Sequence, residues 1–197
     1  MVHTERLTGF IGAALTGVDL RAADDPALRR TLREALAEHH VLVLRDQHAS
    51  IAEQKRLTAV FGDVMRLPYV APMEDDPEVI AVLKEAHETG GGVFGGEWHS
   101  DFSFLQTPPA GSVLSAAEIP PVGGDTVWAS QVAAFETLPA HLKAFVEERR
   151  AVHVGKPYGV KFAPPEKARS NASIRMTRGD PEADREVMHP AVVTDPL

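Results

Sequence analysis

The chain has 197 residues, with 20 Lys and Arg against 28 Asp and Glu, a formal net charge of −8, and 44% apolar residues. Such proportions fit one folded domain over 1–197 and exclude wholesale disorder, while the acidic balance argues against nucleic acid as a partner, because phosphate binding rests on clustered Lys and Arg. Zero Cys excludes disulfides, thiolate metal sites and Cys nucleophiles, and with no apolar run of eighteen residues the sequence predicts a cytoplasmic protein with no membrane partner.

In chain order, Leu7–Phe10 and Ile11–Leu20 read as short strands with glycine turns. Asp24-Asp25-Pro26 marks a helix start, with acid near the positive end of the helix dipole and Pro in the first turn. Leu28, Leu32, Ala35 and Leu36 follow at helical spacing, and His39-His40 close that helix before a strand at Val41–Leu44. Ser50-Ile-Ala-Glu53 has the spacing of a capping box and opens a second helix that stops at Gly62. Strands are predicted at 79–83, 98–105, 112–118 and 125–130, a helix from Val132 to about Arg149, and strands at Ala151–Val154 and Val187–Val193. Residues 89–96 are too glycine-dense for a regular element. Residues 156–186 are polar with little periodicity, which predicts a lid or excursion. The pattern is that of an α+β fold built around an antiparallel sheet or barrel.

His99-Ser-Asp101 carries the chemistry. Residues i and i+2 of a strand share a face, so an imidazole and a carboxylate converge there. That pair would supply two legs of the 2-His-1-carboxylate triad of non-haem iron oxygenases; a local ion pair on a surface strand is the plain alternative. With nine His and twelve Asp in the chain, chance alone supplies about half a His-x-Asp, so the spacing gains force only from its context. Alternation puts Ser103 on the face of His99 and Asp101, and Trp98, Phe102 and Phe104 on the other, as in the wall of a barrel.

Several motifs in order carry a resemblance. Glu97-Trp-His-Ser-Asp-Phe-Ser-Phe104, Pro108-Pro109-Ala110, Pro120-Pro-Val-Gly-Gly-Asp-Thr126 and Trp128-Ala-Ser130 resemble the TauD/TfdA family of Fe(II)- and 2-oxoglutarate-dependent dioxygenases. So do Gly12-Ala-Ala-Leu-Thr-Gly-Val-Asp-Leu20, Val41-Leu-Val-Leu-Arg-Asp-Gln47, Phe61-Gly62 and His189-Pro-Ala-Val-Val193. The resemblance implies a double-stranded β-helix (jelly-roll) core with flanking helices. It makes His99 and Asp101 catalytic iron ligands and Thr126 a hydroxyl donor to a carboxylate of the co-substrate 2-oxoglutarate. The implied reaction uses O₂ to hydroxylate a small organic substrate, with release of succinate and CO₂.

The family's second iron-binding His and its 2-oxoglutarate Arg are expected beyond Leu197, as are the last strands of the barrel. An alternative therefore stands beside the enzyme: an incomplete barrel fragment or non-catalytic binding module, whose open sheet edges invite association with a second copy. A zinc site around His99 and Asp101 is the third reading. His153 and His189 are candidates for the missing ligand, although a plain His at a strand end explains each. Arg169, Arg175 and Arg178 are the carboxylate-fork candidates, His87 lies in a loop that could border substrate, and Tyr69 is the candidate substrate-lining residue. Leu67-Pro68 stands where taurine-oxidising members have a His before the proline, which weakens the case for sulfonate recognition.

Overall fold

In the computed structural model, which describes residues 2–88, 94–161 and 174–194, backbone packing groups the chain into two units. The first comprises Met1–Val64, Gly111–Glu147 and Val193–Leu197, the second Met65–Ala110 and Glu148–Val192.

The first unit opens with strand β1 (His3–Arg6) antiparallel to β2 (Ala13–Thr16). The expected strand at 7–10 is instead their connecting loop. There the Thr8 hydroxyl donates to the Ile11 carbonyl at 2.5 Å and accepts the Ile11 N–H at 3.0 Å, a local closure that competes with strand pairing. Helix α1 (Pro26–His39) begins where the sequence predicts, with the Asp25 carboxylate accepting the Ala27 N–H at 2.7 Å. It ends at His40, in the left-handed region at φ 62°, whose N–H donates to the Leu36 carbonyl at 2.7 Å. α1 is the crossover that lets β3 (Leu42–Leu44) run parallel to β2. Helix α2 (Ile51–Phe61) carries the predicted capping box between Ser50 and Glu53. Leu15, Val18, Leu20, Leu32, Leu57 and Val60 close over one another as the core of this unit.

The helix expected from 132 to 149 is two: α3 (Gln131–Glu136) and α4 (Ala140–Glu147). Pro139 divides them, since it lacks an N–H and disfavours helical geometry in the residue before it. The segments 112–118 and 125–130 carry no strand among the described residues. Apolar alternation predicts a strand, but only a paired neighbour makes one.

In the second unit, β4 (Arg150–His153) and β5 (Val187–Pro190) overlap the strands expected at 151–154 and 187–193, and they pair antiparallel with each other. Residues 79–83 and 98–105 are not strands; a single bridge joins Val70 to Met176. Val70, Tyr158 and Ala183 are buried, with Tyr69, Ile80, Phe102, Phe104, Ile174 and Met176 packed against them. Of the expected excursion, 156–161 and 174–186 are described; Arg169, the rest of 162–173 and the glycines of 89–93 lie outside the described residues. The described flanks are tied down. A 3₁₀ turn at Pro181–Asp184 presents the Asp184 carboxylate, which accepts the N–H of Val160 at 2.7 Å and of Lys161 at 3.1 Å. Two small sheets with helices make the chain α+β. Among the described residues no helix is long and apolar enough to cross a membrane.

Candidate active site

His99 and Asp101 do converge, though not along a strand. Residues 101–104 form a turn closed by the Leu105 N–H donating to the Phe102 carbonyl at 3.0 Å, with Phe102 in the left-handed region at φ 45°. The turn swings the Asp101 carboxylate back to His99, placing Oδ1 3.1 Å from Nε2. Gly95 crosses over the imidazole at φ +70°; a Cβ there would sit 3.3 Å from His99 Cε1, and its backbone conformation is one that L side chains rarely adopt.

The orientation of the imidazole is set from its far side. Nδ1 lies 2.6 Å from the Glu97 carbonyl oxygen, which can only accept, so Nδ1–H donates; Nε2 then meets Asp101 either as the donor of an ion-paired hydrogen bond or, without its proton, as a lone pair. In the deprotonated form a lone pair and a carboxylate oxygen face each other. This donor set fits a divalent metal ion: two donors each about 2.1 Å from one ion and at right angles stand about 3 Å apart. A carbonyl accepting from the other ring nitrogen is also the usual support of a ligating His. Both side chains are about half exposed, 49% and 51%, so a small molecule can reach them. Among the described residues no cluster of three His, Asp or Glu suited to a metal forms.

Behind the turn, Tyr158 is the hub of an aromatic cluster. Phe102 stacks on it at 6.0 Å and Tyr69 at 5.1 Å, while Phe104 tilts against it at 5.8 Å. Burial pushes the Tyr158 hydroxyl above its ordinary pKa; Arg178 opposes this and the Asp101 charge adds to it. Burial likewise raises Tyr69, helped by Asp180 and Glu182. Tyr69, the expected substrate residue, therefore sits in the ring cluster that backs the turn, itself at φ 69°.

Thr126 belongs to the first unit and is exposed in the segment 125–130. His153 and His189 lie on β4 and β5 and contact the turn: His153 Nδ1 shares a hydrogen bond with Ser103 Oγ at 3.0 Å, and His189 Nε2–H donates to the Leu105 carbonyl at 2.9 Å. The Arg178 guanidinium donates to the Pro157 carbonyl at 3.0 Å, and Arg175 and His87 are exposed. Sequence reasoning missed Tyr158 and the two His contacts. The signal for the latter was alternation, since His153 and His189 hold the half-buried positions of their strands.

An open groove in the first unit, lined by Asp19, Arg21, Asp46, Gln47, His48 and Glu53, does not compete as a site. Asp19 forks Arg21 at 2.9 and 3.0 Å, and Glu53 caps α2, so these charges are spent on their neighbours.

An alkylsulfatase of Acinetobacter baylyi is 33% identical over 197 residues, covering 99% of this chain and 60% of that protein. An alpha-ketoglutarate-dependent sulfate ester dioxygenase of Pseudomonas putida is 32% identical over 148 residues, 75% of this chain and 48% of that protein. The crystal structure of a taurine dioxygenase from Burkholderia xenovorans superposes with a TM-score of 0.65 at 34% identity, over 78% of this chain and 53% of that one. The chain thus spans about half to three-fifths of the relatives that it matches. The model of the taurine catabolism dioxygenase TauD, TfdA family matches residues 3–197, and the chain belongs to that family.

Proposed function

We propose that this chain carries the iron- and 2-oxoglutarate-binding part of a dioxygenase that hydroxylates a small organic substrate with release of succinate and CO₂. His99 and Asp101 hold Fe(II), Thr126 donates its hydroxyl to a carboxylate of 2-oxoglutarate, Tyr69 lines the substrate side, and a jelly-roll core carries them all. The carrying observation is the facing of His99 Nε2 and Asp101 Oδ1 at 3.1 Å with Nδ1–H committed to the Glu97 carbonyl.

Iron, when bound, supplies the redox chemistry that couples decarboxylation of 2-oxoglutarate to oxidation of the substrate. The chain's own residues do the rest. The Glu97 carbonyl holds the His99 ring in the tautomer that presents Nε2, and the turn at Phe102 holds the Asp101 carboxylate beside it. One imidazole and one carboxylate leave several coordination positions for co-substrate and O₂. The aromatic wall of Phe102, Phe104, Tyr69 and Tyr158 keeps water away from the back of the turn.

Relatives act, by their names, on sulfate esters and phenoxypropionate, so the test panel comprises alkyl sulfate esters, alkyl sulfonates and aryloxy acids. The protein with Fe(II), ascorbate, 2-oxoglutarate and O₂ is expected to release succinate with a member of that panel. A second reading, a non-catalytic module, is favoured by the lack of a three-donor cluster among the described residues. It takes over if no panel member raises succinate while Mn(II) still binds and is lost in His99→Ala. If Mn(II) does not bind at all, the metal site itself is refuted.

A further inference from the structure

We propose that His153 and His189 are positioning residues that hold the metal-site turn in register from the β4–β5 ribbon. The proposal rests on the reading of His99 and Asp101 as metal ligands.

The turn has no ladder of its own. Between residues 98 and 105 the described chain makes no strand pairing, and its sharpest residue, Phe102, holds a positive φ of 45° that a phenylalanine adopts only under constraint. Aromatic packing secures the Phe102 and Phe104 rings, but packing is non-directional and leaves the polar face of the turn to slide. Two hydrogen bonds fix that face. His153 reaches Ser103, 50 residues away in sequence, and His189 reaches the Leu105 carbonyl, 84 residues away. Ser103 and Leu105 follow Asp101 by two and four residues, so the two imidazoles grip the strap immediately downstream of the carboxylate.

Register explains why both can do so. Ala151 pairs with His189 and His153 with Val187, so the imidazoles are diagonal neighbours on one face, with ring centroids 5.4 Å apart. That face is the half-buried one on both strands. The contacts are directional and differ in kind. The Leu105 carbonyl demands a donor, which fixes His189 with its proton on Nε2. The Ser103 hydroxyl can give or take, so the His153 bond survives either tautomer. Each acts on the metal donors through the backbone between.

The test is Mn(II) binding by calorimetry, with the Co(II) absorption spectrum at saturation and thermal unfolding measured on the same samples. His189→Leu and His153→Leu are expected to weaken Mn(II) by up to about 10-fold, no more than the lower end of the cost of losing a group bonded to the ligand itself, and to change the Co(II) spectrum. His189→Gln, which keeps a donor near the Nε2 position, and His153→Asn, which keeps a polar atom near Nδ1, are expected to restore affinity to within about threefold. Where a Leu variant does not fold, Ser103→Ala, which deletes one hydroxyl, carries the test. Folded Leu variants, or Ser103→Ala in their stead, with unchanged affinity and spectrum overturn the proposal. So does loss that Gln and Asn fail to rescue. If the unaltered protein binds no Mn(II), the ligand reading fails on its own. Amide exchange of residues 99–105 then decides the positioning role: faster exchange in Ser103→Ala and His189→Leu supports it, and unchanged exchange overturns it.

Discussion

His99 Nε2 and Asp101 Oδ1 face each other at 3.1 Å across a turn whose pivot, Phe102, is in the left-handed region. Two groups that both accept hydrogen bonds in their common forms are not left in such contact without a proton or a cation between them. The Glu97 carbonyl accepts a hydrogen bond from the imidazole's Nδ1–H. A proton on Nε2 makes the pair an ion-paired hydrogen bond, a metal cation in its place makes it a two-pronged donor set, and the second can be checked one atom at a time.

Asp101→Asn keeps the size of the side chain and removes its charge. Mn(II) affinity is expected to fall by more than the roughly 10- to 100-fold that follows loss of an outer-shell partner, with the unfolding midpoint nearly unchanged because both groups are half exposed. His99→Ala should do the same. Equal Mn(II) isotherms for the three proteins would remove these residues from the metal site.

Local chemistry was readable in the sequence wherever the causes lie within a few residues. Asp25 with Pro26 and Ser50 with Glu53 start helices where their patterns say, because a cap is closed by its own neighbours. The convergence of His99 and Asp101 was also foreseen, but for a different reason: alternation along a strand was expected, and a turn delivers it. A positive φ at a phenylalanine has no signature in sequence. The ring that Phe102 stacks on, Tyr158, lies more than fifty positions later. The same distance hid the grip of His153 on Ser103. Segments 112–118 and 125–130 misled in the opposite sense, since alternation describes what a strand would bury and says nothing about whether a partner lies beside it.

Two guanidinium groups from α1 close the C-terminal end of α2. Arg29 Nη2–H donates to the Ala59 carbonyl at 2.7 Å and Arg33 Nε–H to the Val60 carbonyl at 2.6 Å. The last carbonyls of a helix have no partner within it. Arg33→Met keeps the apolar stem and deletes the donor, and about 1–3 kcal/mol of stability is expected to go with it. Arg29→Met should cost less, its contact being exposed. Urea unfolding reads both, and midpoints equal to that of the parent would mean that water serves these carbonyls as well.

The capping box gives α2 an acid dependence of known sign. The Ser50 hydroxyl and backbone N–H both donate to the Glu53 carboxylate, at 2.7 and 2.9 Å, and hold its pKa below the ordinary value of 4.5. The unfolded chain then binds the proton more readily than the folded one. The contribution is complete above about pH 4.5 and fades as pH falls through the lowered folded value. Glu53→Gln lacks this titration. Its deficit in unfolding temperature against the parent should be constant above pH 5 and shrink below it. A deficit that grows toward acid would reverse the sign and refute the assignment.

Gly155 lies where β4 leaves the sheet and passes behind the turn. A Cβ at that position would stand 2.8 Å from a ring carbon of Phe104 and 3.1 Å from the Ala183 carbonyl oxygen. The ring could yield only by turning against Tyr158, 5.8 Å away, and Tyr69, 6.0 Å away, and the carbonyl is held at 2.7 Å by the N–H of Gly155 itself. Gly155→Ala is therefore expected to cost about 1–3 kcal/mol by overpacking. Because Phe104 follows Asp101 by three residues, it should also weaken Mn(II) binding. Phe104→Leu removes the ring that the new methyl meets, so Gly155→Ala with Phe104→Leu should bind Mn(II) more tightly than Gly155→Ala alone. A double variant no better than the sum of the two single ones would place the damage at the Ala183 carbonyl and leave the metal-site turn untouched by it.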